Sequence, residues 1–109
     1  GDYYSGGYRF TDFPAECDNH TALTLTHDPA AAFQPGIEGL VLAGHTHCGQ
    51  VSLPFIGAPW APSSAPRKAH CGLYSDEIRQ VLVTPGIGTS VLPVRLGTQA
   101  QWELITLYR

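Results

Sequence analysis

A chain of 109 residues has room for one compact unit, and a formal net charge of −3 with six Lys and Arg leaves no basic surface of the kind that nucleic-acid binding requires. Apolar residues make up 43% and charged residues 14%, a globular composition whose low charge density points to surface normally covered by more protein. No apolar run reaches the roughly 18 residues of a membrane-crossing helix, and the first residues do not read as an export leader.

Residues 1–19, rich in Gly, Tyr, Asp and Pro, hold no sustained period and read as irregular. Thr21 to Thr26 alternates threonine with apolar residues and predicts a strand ending at His27. Asp28 is suited to cap, and Pro29 to begin, a helix of about two turns at most that Pro35-Gly36 stops. Gly39 to Ala43 is a continuous apolar run, expected of a strand buried on both faces. Gln50 to Leu53 reads as a short strand, and the prolines 54, 59, 62 and 66 mark a long loop of the kind that is usually functional. Further strands are predicted at Cys71 to Tyr74, Ile78 to Thr84, Leu92 to Leu96 and Gln101 to Leu107, with a glycine-rich turn from Gly86 to Ser90. Three cysteines, Cys17, Cys48 and Cys71, are odd in number and irregular in spacing, so no disulfide framework is expected and a reducing, cytoplasmic setting fits.

The run Gly44-His45-Thr46-His47-Cys48-Gly49 follows the apolar strand directly. Residues two apart in extended backbone point to one side, so both imidazoles can face one metal cluster, and the glycines let the backbone turn sharply there. His27 ends another predicted strand and becomes a third candidate ligand if the two strands are neighbours, because open α/β sheets bind ligands at the C-terminal ends of their strands. A bare His-x-His is a weak signal taken alone.

Taken with Leu25-Thr26-His27-Asp28-Pro29, Gln50-Val51-Ser52-Leu53-Pro54, Gly86-Ile87-Gly88-Thr89-Ser90 and Leu92-Pro93-Val94-Arg95, the pattern resembles calcineurin-like metallophosphoesterases, nearest to a bacterial membrane-associated branch acting on lipid A precursors. The resemblance implies an α/β parent of two packed sheets, of which this chain is the C-terminal, mostly β part. It implies that His27 and His45 ligate one ion of a binuclear centre and His47 the other, with Mn, Fe, Zn, Ni or Co all compatible with imidazole. The substrate implied is a phosphorylated small molecule or a lipid-linked phosphate, hydrolysed by the complete domain, peripheral to the inner membrane.

The same family needs an Asp-x-His, a bridging Gly-Asp and a Gly-Asn-His, all upstream of the part seen here. Gly1-Asp2 imitates the second and Asp18-Asn19-His20 the third, but Asp2 lies too near His27 for the intervening elements and Asn19 lacks its glycine. The missing N-terminal half is therefore the first expected partner, and exposed strand edges suit a homodimer. Two rival readings follow: a mononuclear zinc module held by His45, His47 and Cys48 or Cys71, and a non-catalytic interaction piece. His70 and Cys71 read as structural, Cys48 as a small residue, Arg67 and Arg95 as candidate phosphate contacts, and the Gly86 to Ser90 turn as a source of backbone N–H groups for phosphate.

Overall fold

In the computed structural model, which describes residues 22–108, four strands form one mixed sheet: β1 (Leu23–Leu25), β2 (Gly39–Ala43), β3 (Gly72–Ser75) and β4 (Arg79–Val83). Their spatial order is β1-β2-β4-β3, with β1, β2 and β4 mutually parallel and β3 antiparallel to β4. The parallel pairs with their crossovers give a small α/β unit, although its helical turns are all short 3-10 segments. The expected irregular N-terminal stretch, the start of the first strand at Thr21, and Asp2, Cys17, Asn19 and His20 lie outside the described residues.

Pro29–Phe33 forms the crossover between β1 and β2, as a single 3-10 segment. Its cap is the one expected: the buried Asp28 carboxylate accepts the Ala30 N–H at 2.9 Å, satisfying a donor that the first helical turn leaves open. Proline at the first position loses nothing, since its missing N–H would have had no partner there.

Register explains the core. Val41 of β2 faces Val81 of β4, and Ala43 faces Val83; these four side chains pack with Ala32 of the crossover under Phe33, Ile37 and Tyr74. Each buried valine contributes roughly 1.5–3 kcal/mol relative to exposure. Arg79 locks the crossover down, since its Nη1 donates to the Ala32 carbonyl and its guanidinium lies 5.3 Å from the Phe33 ring centre.

The alternate residues form the other face. Leu25, Leu42, Leu82 and Leu73 stand in register across all four strands, and Leu25 and Leu73 are 72% and 63% exposed. The expectation that β2 is buried on both faces is thus half met: Val41 and Ala43 are buried, whereas Leu40 and Leu42 are only partly covered. A strand run this apolar is written for two covered faces, and the described residues supply a cover for one.

Three expected strands do not form among the described residues. Val51 and Leu96 share one isolated bridge, and Leu53 bridges to Gly57. Gln50, at φ 36°, breaks the approach to the first segment, and Val91, at φ 63°, breaks the approach to the second. The alternation from Gln101 to Leu107 is present in sequence, but strand formation needs a neighbouring ladder. Here the segment is anchored where Gln101 N–H donates to the Gly86 carbonyl at 3.0 Å, and Trp102 and Leu104 are exposed. No second sheet is seen among the described residues.

Candidate metal centre

Because β1 and β2 are parallel neighbours, their C-terminal ends coincide. The ladder runs past both strands, with Thr26 N–H donating to the Leu42 carbonyl and Gly44 N–H to the His27 carbonyl, each at 3.0 Å. His27 and His45 are therefore delivered side by side. His27 Nε2 and His45 Nδ1 lie 2.8 Å apart, and the ring centres are 4.6 Å apart. His45 Nε2 meets the Pro62 carbonyl at 2.7 Å. A carbonyl only accepts, so Nε2 carries the proton and the neutral ring keeps its lone pair on Nδ1, the atom turned toward His27.

His47 does not join this pair. Its Nδ1 lies 3.1 Å from the Gly88 carbonyl, and among the described residues no group of three His, Cys, Asp or Glu side chains gathers closely enough to hold one ion. All three histidines nevertheless line one cavity of about 690 Å³, whose apolar wall includes Trp60, Val91 and Leu92. Two converging imidazole nitrogens with a third imidazole in the same hollow are donors suited to a divalent transition metal.

The loop that carries His45 and His47 is wound differently from the sequence expectation. Gly44 is not the residue that turns; left-handed φ values fall on His45 (64°), His47 (49°), Cys48 (54°), Gly49 (82°) and Gln50 (36°). Non-glycine residues held there cost of order 1–3 kcal/mol each, so surrounding contacts must over-determine the loop. Thr46 is one such anchor: buried, it donates through Oγ1 to the His70 carbonyl at 2.6 Å and accepts the Cys48 N–H. Gly49 is required for another reason, since a Cβ there would sit 2.0 Å from the Ala58 Cβ. Asp28 helps from below, accepting Ser63 Oγ at 2.5 Å and so tying the proline loop beneath His27.

Cys48 and Cys71 are joined in a disulfide spanning 23 residues. This corrects the expectation of unpaired thiols: irregular spacing carries no information about a single bridge between sequence-distant positions. The argument for a reducing setting loses its basis, since such bonds persist in oxidising compartments. The zinc module with Cys48 or Cys71 as ligand loses those thiolates as well. Cys71 and His70 are structural as expected, His70 Nε2 donating to the Ala65 carbonyl at 2.8 Å.

The two arginines read as phosphate contacts are otherwise engaged. Arg67 donates to the Pro59 carbonyl at 3.1 Å. Arg95 donates to the carbonyls of Pro85 (2.7 Å), Gly86 (3.0 Å) and Gly88. The Gly86 to Ser90 turn thus offers carbonyls to a guanidinium, while its Ser90 N–H donates to Gln50 Oε1 at 2.7 Å. Gln50 was missed as a site residue. Its Nε2 donates to the Leu92 and Val94 carbonyls at 2.8 and 2.9 Å, so one side chain pins the 90–94 segment against the histidine loop. Its place directly after His47-Cys48-Gly49 was the available signal.

With this geometry established, comparison with known proteins is informative. The chain is 33% identical over 96 residues to phosphodiesterase YaeI of Escherichia coli, which covers 86% of this chain and 35% of that protein. It is 32% identical over 92 residues to the uncharacterized metallophosphoesterase YkuE of Bacillus subtilis, covering 83% of this chain and 32% of that one. It is 37% identical over 95 residues to a transmembrane protein with metallophosphoesterase domain of Danio rerio, covering 78% and 20% respectively. These similarities support the metallophosphoesterase family. No family model and no solved structure gives a significant match. The chain spans about a third or less of the length of the curated relatives it matches. No helix among the described residues is long and apolar enough to cross a membrane.

Proposed function

We propose that this chain supplies His27, His45 and His47 to a binuclear divalent-metal centre that hydrolyses a phosphoester or pyrophosphate bond, with a phosphodiester as the first substrate to test. The approach of His27 Nε2 and His45 Nδ1 to 2.8 Å, at the C-terminal ends of adjacent parallel strands, carries the reading. The names of the similar proteins, phosphodiesterase and metallophosphoesterase, agree with it.

His27 and His45 would hold one ion and His47 the other. Such ions supply neutralisation of phosphoryl charge and activation of water near neutral pH. The protein's own part is orientation. The Pro62 carbonyl holds His45 with Nδ1 as its donor atom, and the Asp28 to Ser63 hydrogen bond keeps the loop that bears Pro62 in place. Trp60, Val91 and Leu92 give the cavity an apolar side against which a substrate's non-phosphate portion can lie, which suits a phosphorylated small molecule or a lipid-linked one.

A bridging carboxylate and a leaving-group acid are expected from the remainder of the domain, and that remainder is also the proposed cover for the leucine face. The isolated chain is accordingly expected to be inactive. Dimerisation through β1 and β3, the two outer strands of the sheet, and a peripheral inner-membrane location of the parent are further parts of the proposal.

The test is hydrolysis of bis(p-nitrophenyl) phosphate with Mn²⁺ by the parent protein. Activity abolished by His45→Ala supports the reading, and full activity in that variant refutes it. Turnover by the purified 109-residue chain, lost in the same variant, would show the upstream groups to be dispensable.

A further inference from the structure

His47 differs from His45 in how its ring is held, and the difference lies in Arg95. The guanidinium is half-buried and its N–H groups are consumed by main-chain oxygens: Nε donates to the Gly88 carbonyl at 3.1 Å, Nη1 to the Gln99 carbonyl at 3.5 Å, and Nη2 to Pro85, Gly86 and Gly88. Nη2 owns two hydrogens, and the Pro85 and Gly86 carbonyls, at 2.7 and 3.0 Å, lie nearer to it than His47 Nδ1 at 3.1 Å. With those two carbonyls taking the Nη2 hydrogens and Nε taking one lone pair of the Gly88 oxygen, Nη2 has none left for the ring and Gly88 keeps its second lone pair for it.

Nδ1 is equally 3.1 Å from the Gly88 carbonyl. If Nδ1 were bare, its lone pair would face a carbonyl lone pair; if protonated, it makes a hydrogen bond. We infer that the Gly88 carbonyl, clamped by Arg95, fixes His47 as the Nδ1–H tautomer and leaves Nε2 as the ring atom with a free lone pair. Arg95 is then a positioning residue that gathers the 85–88 turn against the imidazole, and neither it nor Gly88 touches substrate.

The meaning of this for chemistry rests on the metal-centre reading, because a ligand imidazole needs its other nitrogen held by an acceptor. The structural claim stands apart from it. It also gives the glycine-rich turn a purpose: with Arg95 drawing carbonyls together, the turn works as an acceptor for a histidine and not as a phosphate cradle.

The experiment is a long-range ¹⁵N–¹H correlation on the histidine rings of the 109-residue chain without metal, near pH ~8, where unperturbed imidazoles are neutral. The expected result is His47 with a protonated Nδ1 and a bare Nε2; an Nε2–H pattern overturns the inference. In Arg95→Gln, His47 is expected to shift toward the Nε2–H form while the His27, His45 and His70 patterns stay as they were. A folded Arg95→Gln with an unchanged His47 pattern removes Arg95 from the claim. If that variant loses the fold, Arg95→Lys serves instead: a single ammonium cannot span the three carbonyls, and a partial shift is expected, whereas none overturns it. Activity of the parent protein separates the two readings. An Nδ1–H pattern at His47 in the chain, with full phosphodiesterase activity kept by the parent's His45→Ala and His47→Ala variants, supports this inference and counts against the metal role.

Discussion

Reducing the Cys48–Cys71 bond is expected to destabilise the fold and loosen the histidine pair together. The bond closes a loop of 23 residues' separation, and the loss of loop-closure entropy from the unfolded chain corresponds to about 3 kcal/mol. For a domain of this size that lowers the melting temperature by roughly 10–20 °C. The same loop contains Pro62, whose carbonyl orients His45, so freeing it should also blur the His45 ring signals while β2 and β4 amides persist below the new transition. The assay is thermal unfolding by circular dichroism with and without dithiothreitol, and for Cys48→Ala/Cys71→Ala. A non-reducing digest should yield the linked Cys48 and Cys71 peptides. An unchanged melting temperature on reduction, or a digest in which those peptides run apart, would refute the reasoning.

Val81→Ala removes two methyl groups from a fully buried site and is expected to cost about 2 kcal/mol, read as a lower urea midpoint at constant slope. Thr46→Val deletes the hydroxyl bonded to the His70 carbonyl and leaves that acceptor without its partner; a loss of about 1–3 kcal/mol is expected by the same measurement, and Thr46→Ser should retain most of it. Acid unfolding tests Asp76. Desolvation raises its pKa, but the Ile78 and Arg79 N–H donors and the Arg79 charge outweigh that and hold it below the ordinary carboxylate value. Its stabilising contribution is therefore complete above the ordinary carboxylate range and lost as pH falls through the lowered pKa. Asp76→Asn should therefore lower stability near neutrality and flatten the acid limb, the two profiles converging below the lowered pKa.

How far the sequence could be read depended on where each element finds its partner. β2 and the Asp28-Pro29 cap were legible because an apolar run between glycines and a capping residue before proline are local signals. The histidine pair was legible because two strand ends with terminal histidines need only be parallel neighbours to meet. Leu92 to Leu96 and Gln101 to Leu107 carry strand composition, yet a ladder is a property of two segments, and composition describes one. The disulfide and the reversal of roles at Arg95 were illegible for the same reason: Cys48 to Cys71 and Arg95 to the 85–88 carbonyls are contacts made by tertiary placement. Gly44 and Gly49 were both credited with the turn; Gly49 takes part in it at φ 82°, but His45, His47 and Cys48 adopt left-handed φ in place of Gly44, which is where a functional loop departs from local propensity.

The leucines aligned across the four strands bear on how the isolated chain would behave at the bench. Hydrophobic dyes such as ANS should light up on it under fully native conditions, because the binding surface is part of the ordered sheet. Fluorescence that would signal a molten globule in another protein would here report a well-formed sheet whose leucine face the described residues leave open, and amide-exchange protection in β2 and β4 would tell the two apart.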